Sequence, residues 1–501
     1  MRLRRLLIAN RGEIAIRIAR ACREAGVESV AIYSDADAGA PHTLAADHAV
    51  RVGPAAPSES YLNISAIVDA ARAAGADAIH PGYGFLSERA SFAEACEKAE
   101  LVFVGPSADT ISRMGSKIGA RELMEAAAVP VVPGLTPADQ SDAGILDAVA
   151  RIGFPALVKA SAGGGGKGMR SLRGPEQAAE MIAAARREAE AAFGDGTLYV
   201  ERLVDAPRHV EIQIFGDSHG HLVHLFEREC SVQRRHQKVI EESPSPAIVP
   251  RIRDEMGRAA VAAARAVNYR NAGTVEFLLE GSGESARFYF LEMNTRLQVE
   301  HAVTEAITGV DLVRAQLTVA AGEPLPWDQA SLSQRGHAIE CRIYAEDPAD
   351  GFLPQAGKLL LYREPSGPGV RVDAGVDEGG EVPVTYDPML AKLIVHAETR
   401  DAAISRATAA LRHYAVLGIR TNIPFLLRVL DHPAFRAADV HTGFIDQHLE
   451  QLVARAAPAP AAVVAAARAT ATANTAARST GPAAQPVGPA DPWATIQGWG
   501  R

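Results

Sequence analysis

The stretch YFLEMNTRLQVEH, residues 289–301, alternates polar and apolar side chains with a period of two. On an extended strand, this period places all the polar residues on one face. They are Glu292, Asn294, Arg296, Gln298 and Glu300. A solvated face would favour Lys, Glu and Thr, whereas this set combines acids, amides and a guanidinium. We therefore predict that this face carries functional groups.

A second strand with an acidic residue, GTVEFLLE, lies just upstream. The short loop GSGESAR joins the two stretches, so we expect a hairpin that brings Glu276 beside Glu292. Carboxylates and an amide such as Asn294 are hard oxygen ligands, which suit Mg²⁺ or Mn²⁺ ions that bridge ATP phosphates. The hairpin therefore predicts a divalent-cation site.

The stretch SAGGGGKGMR, residues 161–170, could bind phosphate through its backbone. A dinucleotide fingerprint or a P-loop needs its glycines to open directly into a helix. Here FPALVKA predicts a strand before the glycines, MRSL predicts a strand after them, and a helix follows only at AAEMIAAARREAEAAF. This order favours a flexible hairpin lid whose N–H groups face phosphates. Lys159 ends the first strand and is aimed at this loop.

The elements that position these residues predict an α/β fold, in part α+β. Residues 1–115 alternate short apolar strands with amphipathic helices, which is typical of a doubly wound parallel sheet. Such sheets bind ligands beyond the carboxyl ends of their strands, at NRGE and HPGYGFLSE here. Residues 335–448 form a further segment of strands and a helix. Residues 455–501 are rich in Ala, Pro, Thr and Gly, and predict a linker or disordered tail.

Composition excludes several function classes. The net charge of −9 and the lack of a long basic block argue against a nucleic-acid partner. No stretch reaches the roughly 18–20 apolar residues of a membrane span, and the apolar run near the N-terminus is too short for an export signal. Four widely spaced cysteines, without a C-x-x-C pair, predict reduced thiols in a cytoplasmic protein.

Five motifs together carry a family resemblance: KASAGGGGKGMR, RHQKVIEESP, EFLLE with EMNTRLQVEH, HPGYGFLSE, and GHAIECRIYAEDP. Over residues 2 to about 448 the chain resembles the biotin carboxylase component of biotin-dependent carboxylases, an ATP-grasp family. The resemblance implies an N-terminal domain over residues 1–115 and an ATP-grasp domain over 116–330, with a mobile lid at about 131–203. It also implies a C-terminal biotin carboxylase domain over 335–448.

The resemblance also implies ligands and roles for matching positions. The family activates bicarbonate with ATP to give carboxyphosphate, which carboxylates N1′ of biotin. The residues expected at ATP are Lys117, Lys159, Gly164, Gly165, Gly166, Glu201, Leu203, His209, Gln233 and His236. Glu276 and Glu292, with Asn294, are expected to hold two Mg²⁺ or Mn²⁺ ions at the ATP phosphates.

The same resemblance assigns the carboxyl-transfer end of the site. The residues expected around bicarbonate are Lys238, Arg296, Gln298, Val299 and Glu300. Glu300 is the implied base, and Arg342 is expected to stabilise the enolate of biotin. Tyr83 and Gly84 would border the biotin ring.

The resemblance implies a biotin carboxyl carrier protein and a carboxyltransferase subunit as partners, within an acyl-CoA carboxylase of fatty acid or propionyl-CoA metabolism. A homodimer or a larger carboxylase complex is expected. No segment resembles the AMKM biotin-acceptor motif, so either the carrier is a separate protein or the chain is a shortened α subunit. Two alternatives remain open: another ATP-grasp ligase that activates a different acid, and a catalytically silent nucleotide-binding subunit.

Overall fold

The computed structural model describes residues 2–161 and 168–453, together with residue 465. The backbone predicted to close over ATP, at Gly164, Gly165 and Gly166, therefore lies outside the described residues. The tail predicted over 455–501 also lies outside them, apart from residue 465. Within the described part of the chain, no helix combines the length and apolar character that a membrane span requires.

The N-terminal segment alternates strands and helices, as its sequence predicts. In chain order these are β1 (Arg5–Ile8), α1 (Gly12–Ala25), β2 (Glu28–Ser34), α2 (Pro41–Ala45), β3 (His48–Gly53), α3 (Ile64–Ala73), β4 (Ala78–His80), α4 (Ala90–Lys98), β5 (Val102–Phe103) and α5 (Ala108–Gly115). The strands form a parallel sheet in the order β3-β2-β1-β4-β5. Leu6 and Ile8 of β1 pack into one apolar core and Leu7 into another, so both faces are covered. The predicted parallel-sheet fold is confirmed.

A small antiparallel sheet follows. Its segment contains α6 (Lys117–Ala126), β6 (Gly134–Leu135), α7 (Asp142–Ile152), β7 (Ala156–Ala160), β8 (Arg170–Leu172), α8 (Ala178–Phe193) and β9 (Leu198–Arg202). The strand order is β6-β9-β7-β8, and β7 pairs with β8 in antiparallel fashion. The strands on either side of the glycines and the later start of helix α8 agree with the sequence prediction.

The largest sheet is antiparallel and has eight strands. Its first part contains β10 (Arg208–Gly216), β11 (Leu222–Arg234), β12 (Gln237–Ser243), α9 (Pro250–Ala266), β13 (Asn271–Glu280), β14 (Arg287–Asn294), α10 (His301–Thr308) and α11 (Leu312–Ala320). Strand β14 ends at Asn294, and residues 295–300 bend into α10. The prediction of one continuous strand over 289–301 is therefore wrong after residue 294, because the chain must turn there to begin a buried helix.

The C-terminal segment completes this sheet. It contains β15 (His337–Tyr344), β16 (Glu346–Asp347), β17 (Leu353–Pro354), β18 (Gly357–Lys358), β19 (Leu361–Arg363), β20 (Val370–Ala374), β21 (Glu381–Val382), β22 (Met389–Ala397), α12 (Arg400–His413), β23 (Ala415–Leu417), α13 (Ile423–Asp431), α14 (Pro433–Arg436) and α15 (Phe444–Leu452). The order of the large sheet is β14-β13-β10-β11-β12-β15-β22-β20. The pairing of β12 with β15 carries the sheet across the domain boundary predicted near residue 335.

Candidate active site

A cavity of about 970 Å³ lies between the parallel sheet, the small sheet and the large sheet. Its size is at the upper end of the range for ligand pockets. The sequence-predicted residues that line it are Tyr83, Gly84, Lys117, Lys159, Glu201, His209, Gln233, His236, Lys238, Glu276, Glu292, Asn294, Arg296, Gln298, Val299 and Arg342. Residues more than 250 positions apart in the chain therefore meet at one site.

Two predicted residues stand behind this lining. Glu300 is fully buried and contacts two of the lining side chains. Leu203 is not among the lining residues, although its neighbours Arg202 and Val204 are. The backbone N–H of Leu203 donates to the carbonyl of Pro155 at 3.0 Å.

The two predicted acidic strands form a hairpin. Strands β13 and β14 pair so that Glu276 lies directly opposite Glu292. Residues directly opposite each other in an antiparallel pair project from the same face. The pairing therefore brings two carboxylates to one wall of the cavity, as the sequence analysis expects.

Lys238 of β12 lies among three carboxylates. Its Nζ is 2.5 Å from Glu211 Oε2, 2.9 Å from Glu276 Oε1 and 2.6 Å from Glu300 Oε1. Burial by itself would lower the pKa of Lys238, but the three acids raise it well above its usual value. These contacts favour the charged ammonium, which balances part of the negative charge of the three carboxylates around it.

Glu300 links Lys238 to Arg342. Its Oε2 is 3.1 Å from Arg342 Nη2, while Arg342 also pairs with Glu241 at 2.5 Å. Burial opposes ionisation of Glu300, but the charges of Lys238 and Arg342 outweigh it and hold its pKa well below the usual range. These charges favour the ionised form of Glu300, and a general base must be in this form to accept a proton.

Glu292 is the carboxylate best suited to a metal ion. Among the described residues it has no ion pair, and its side chain is exposed to the cavity. The surrounding protein groups remove water from the Glu292 carboxylate, and this desolvation, together with the charge of Glu276, raises the pKa of Glu292. A divalent cation would relieve this repulsion. Asn294, two residues on, has an unpartnered Nδ2 and an Oδ1 that accepts from Arg296. The donor set therefore fits Mg²⁺ or Mn²⁺.

Arg296 is held in a fixed orientation by its neighbours. Its Nε is 2.8 Å from Glu88 Oε2, and its Nη1 donates to Gln298 Oε1 at 3.1 Å. Its Nη2 donates to Asn294 Oδ1 at 3.1 Å. Because the planar guanidinium is fixed before any ligand arrives, it can offer a preorganised contact to a small planar anion.

The phosphate-side candidates lie on α6, β7 and the β11–β12 hairpin. Lys117 begins α6, and Lys159 of β7 is 2.5 Å from Glu201 Oε2. Burial lowers the pKa of Lys117. His236 lies in the β11–β12 turn with a φ of +67°, and Gln233 and Lys238 pair across that hairpin. These positive and polar side chains all line the cavity.

The biotin-side candidates follow β4, at the carboxyl end of the parallel sheet. The hydroxyl of Tyr83 donates to Glu13 Oε1, and Asn10 Nδ2 donates to the carbonyls of Pro81 and Tyr83 at 2.8 and 2.7 Å. Gly84 has a φ of +67°, which favours glycine at this position. The turn is thus fixed by hydrogen bonds to the loop that follows β1.

Sequence reasoning missed several charged groups behind the cavity wall. Glu211 and Arg228 are fully buried and pair at 2.5 Å, and Glu241 holds Arg342. Glu88 lies in the noted motif HPGYGFLSE but was given no role. Three of these charged residues lie within strand-like stretches: Glu211, Arg228 and Glu241. A charge within an apolar strand is the only sequence signal that could have identified them.

Three protein-family descriptions match consecutive parts of the chain. They are "Biotin carboxylase, N-terminal domain" over residues 2–111, "Carbamoyl-phosphate synthase L chain, ATP binding domain" over 116–327, and "Biotin carboxylase C-terminal domain" over 340–447. A biotin carboxylase of Halalkalibacterium halodurans is 51% identical over 447 residues, which cover 89% of this chain and 98% of that protein.

Longer proteins and solved structures are similar as well. The mitochondrial methylcrotonoyl-CoA carboxylase subunit alpha of Rattus norvegicus is 51% identical over 90% of this chain, but the chain spans only 62% of that relative. The biotin carboxylase domain dimer of the Hydrogenobacter thermophilus 2-oxoglutarate carboxylase, solved with MgADP, ADP and bicarbonate, has a TM-score of 0.86 and 42% identity. That comparison covers 91% of this chain and 100% of the other. Taken with the geometry of the cavity, these matches show that the chain belongs to the biotin carboxylase family.

Proposed function

We propose that the protein carboxylates N1′ of biotin on a carrier protein, using ATP and bicarbonate and passing through carboxyphosphate. The observation that carries this proposal is the ionised Glu300, held between Lys238 and Arg342 at the wall that also presents Arg296. A base, a preorganised guanidinium and a phosphate-binding end in one cavity suit the activation of a small acid by a nucleotide.

The first step is phosphoryl transfer to bicarbonate. Arg296, Gln298, Lys238 and the N–H of Val299 bind the anion, and Glu300 removes its proton. A bicarbonate oxygen then attacks the γ-phosphorus of ATP, and the bond from that phosphorus to the β–γ bridging oxygen breaks, releasing ADP and leaving carboxyphosphate.

A second set of residues orients the nucleotide. Lys117, Lys159 and His236 contact its phosphates, while Glu201, Leu203, His209 and Gln233 serve the adenosine end. Glu276 and Glu292, with Asn294, would hold two divalent ions, which neutralise the phosphate charge when bound. The glycines at 164–166 are proposed to cover the phosphates.

The second step transfers the carboxyl group to biotin. Tyr83 and Gly84 border the ring, and Arg342 stabilises the negative charge on the ureido oxygen as N1′ loses its proton. The bond from the carboxyl carbon to the phosphate oxygen breaks as the N1′–carbon bond forms, and the released phosphate accepts the N1′ proton. Exclusion of water matters here, because water would hydrolyse carboxyphosphate before N1′ attacks its carboxyl carbon.

We further propose that this carboxylation of biotin is the first half-reaction of an acyl-CoA carboxylase, in fatty acid or propionyl-CoA metabolism. The partners are a biotin carboxyl carrier protein and a carboxyltransferase subunit, and a homodimer is supported by the dimer in the solved relative. The four buried, unpaired cysteines support a reducing compartment such as the cytoplasm. Co-purification with a biotinylated carrier and a carboxyltransferase subunit tests this assignment.

The activity test measures release of ADP by the full chain with Mg²⁺. Cleavage of ATP should depend on bicarbonate and should increase when free biotin is added. An ATP-grasp ligase for another acid would ignore biotin, and a silent nucleotide-binding subunit would cleave no ATP. Either result would overturn the proposal.

A further inference from the structure

Two buried side chains hold the peptide groups on either side of Val299. His301 Nδ1 lies 2.8 Å from the carbonyl oxygen of Gln298, and Lys392 Nζ donates to the carbonyl oxygen of Val299 at 2.7 Å. Both side chains are fully buried. His301 begins helix α10 and Lys392 lies on β22, so the two contacts come from different parts of the chain.

These contacts, together with the backbone N–H of His301, which donates to the Gln298 carbonyl at 3.4 Å, set the direction of the Val299 N–H. The Gln298–Val299 peptide is trans, since the cis peptides of the described chain precede Pro155 and Pro244. In a trans peptide the N–H points away from the carbonyl of the same unit, which here faces His301. Across residues 2–161 and 168–453, no group accepts a hydrogen bond from the Val299 N–H, and Val299 lines the cavity. This donor is therefore available to a ligand.

The protonation state of His301 supports its role as a donor. Burial and the charges of Lys392 and Arg17 keep its pKa well below the usual value. The neutral ring has one proton, and the Gln298 carbonyl requires that proton on Nδ1. Nε2 has no hydrogen-bond partner in the described chain. The ring therefore makes one hydrogen bond, and that bond is to the peptide group beside Val299.

Lys392 is anchored from several directions. Its Nζ is 3.3 Å from Glu13 Oε1 and 3.9 Å from Asp373 Oδ2. In the sheet, Lys392 lies opposite Asp373 of β20 on one side and opposite Arg342 of β15 on the other. A fully buried ammonium loses its hydration, and an apolar residue of similar volume is often at least as stable in such a place. Packing alone therefore does not account for a lysine whose ammonium group reaches the Val299 carbonyl.

We infer that His301 and Lys392 are positioning residues that aim the Val299 N–H at the bicarbonate bound in the cavity. Each acts through the backbone and neither lines the cavity. The inference rests on the proposed function, because it needs bicarbonate as the ligand of this N–H.

Two amide variants of one residue separate positioning from packing. In His301→Asn, the amide nitrogen can occupy the place of Nδ1 and restore the hydrogen bond to Gln298. In His301→Gln, the longer side chain brings its amide to the place of Nε2, so the bond is lost. We expect the bicarbonate KM to rise about fivefold in His301→Gln, the effect of one hydrogen bond, and to stay within about twofold of the wild type in His301→Asn. The ATP KM should be unchanged in both.

The measurement is bicarbonate-dependent ADP release by the full chain. Equal bicarbonate KM values in the two variants would overturn the inference, because mere packing would not distinguish them. If His301→Gln does not fold, Lys392→Met tests the same inference. We expect Lys392→Met to raise the bicarbonate KM and to leave the ATP KM constant. An unchanged bicarbonate KM would contradict the positioning role. A wild-type protein that cleaves ATP without regard to bicarbonate would instead overturn the proposed function itself.

Discussion

Replacement of Glu300 by Gln tests the proposed base most directly. The substitution keeps the shape of the side chain and removes one negative charge. Glu300 is fully buried, and its two oxygens lie 2.6 Å from Lys238 Nζ and 3.1 Å from Arg342 Nη2. The variant therefore removes a charge at the point where the bicarbonate proton is expected to go.

The substitution should affect the rate of carboxylation more than the free energy of unfolding. Loss of a general base lowers the rate about 10²–10⁴-fold, or about 3–5 kcal/mol in the activation barrier. The cost in the free energy of unfolding should be smaller, because Lys238 keeps Glu211 and Glu276 and Arg342 keeps Glu241. We expect about 1.5–3 kcal/mol, the range for a hydrogen bond to a charged group.

The assay is the incorporation of labelled bicarbonate into free biotin, with ATP binding measured separately by calorimetry. Carboxylation by Glu300→Gln should fall at least about a hundredfold, while ATP affinity stays close to that of the wild type. Glu227→Gln is the matched control, since Glu227 is equally buried and pairs with Arg253 at 2.8 Å, whereas Arg253, unlike the partners of Glu300, does not line the cavity. Carboxylation by Glu300→Gln at the control rate would refute the assignment of the base.

Three further predictions address the anion, the metal and pH. Arg296→Lys keeps the charge but loses the planar fork, so the bicarbonate KM should rise about tenfold in steady-state assays, and an unaltered KM would argue against anion binding there. Glu292→Gln removes a carboxylate that Glu276 repels, so the melting temperature of the metal-free variant should be no lower than that of the wild type. Half-maximal ATP cleavage by this variant should need about tenfold more Mg²⁺. Equal Mg²⁺ requirements would contradict the metal role. Burial lowers the pKa of His80 to about 4, against about 6.5 in the unfolded chain. Between these two pH values, His80 binds a proton in the unfolded chain but not in the folded chain. Protonation therefore favours unfolding as the pH falls towards 4, and the stability that the neutral His80 contributes above pH 6.5 is lost. The difference in melting temperature between the wild type and His80→Asn should shrink from pH 7.5 to pH 5, and a constant difference would contradict the burial of a neutral His80.

Local patterns were sufficient for much of the architecture. Helix α8 occupies the stretch AAEMIAAARREAEAAF that its sequence predicts, because helix periodicity and the following Gly194 agree. The opposition of Glu276 and Glu292 also follows from local information, since a short loop fixes the register of a hairpin. These features depend on residues close together in the chain.

Other features depend on tertiary structure. The alternation of polar residues continues past Asn294, yet the strand ends there, because residues 295–300 must turn into α10. The roles of Lys392 and His301 have no local signal either. Lys392 reaches the Val299 carbonyl from 93 residues away. A lysine within the apolar strand MLAKLIVHA signals a buried charge, but nothing in the stretch indicates which group it contacts.

The eight-stranded sheet has a mechanical consequence. Hydrogen-bonded strand pairs connect β14, which carries Glu292, to β15, which carries Arg342, and on to β20, with local register shifts in some of the pairs. Sliding either end against the other would break whole ladders of backbone hydrogen bonds. The small sheet β6-β9-β7-β8 shares no strand with it. A hinge motion of the small sheet should therefore carry Lys159 and Glu201 together, relative to the large sheet that bears Glu292 and Arg342.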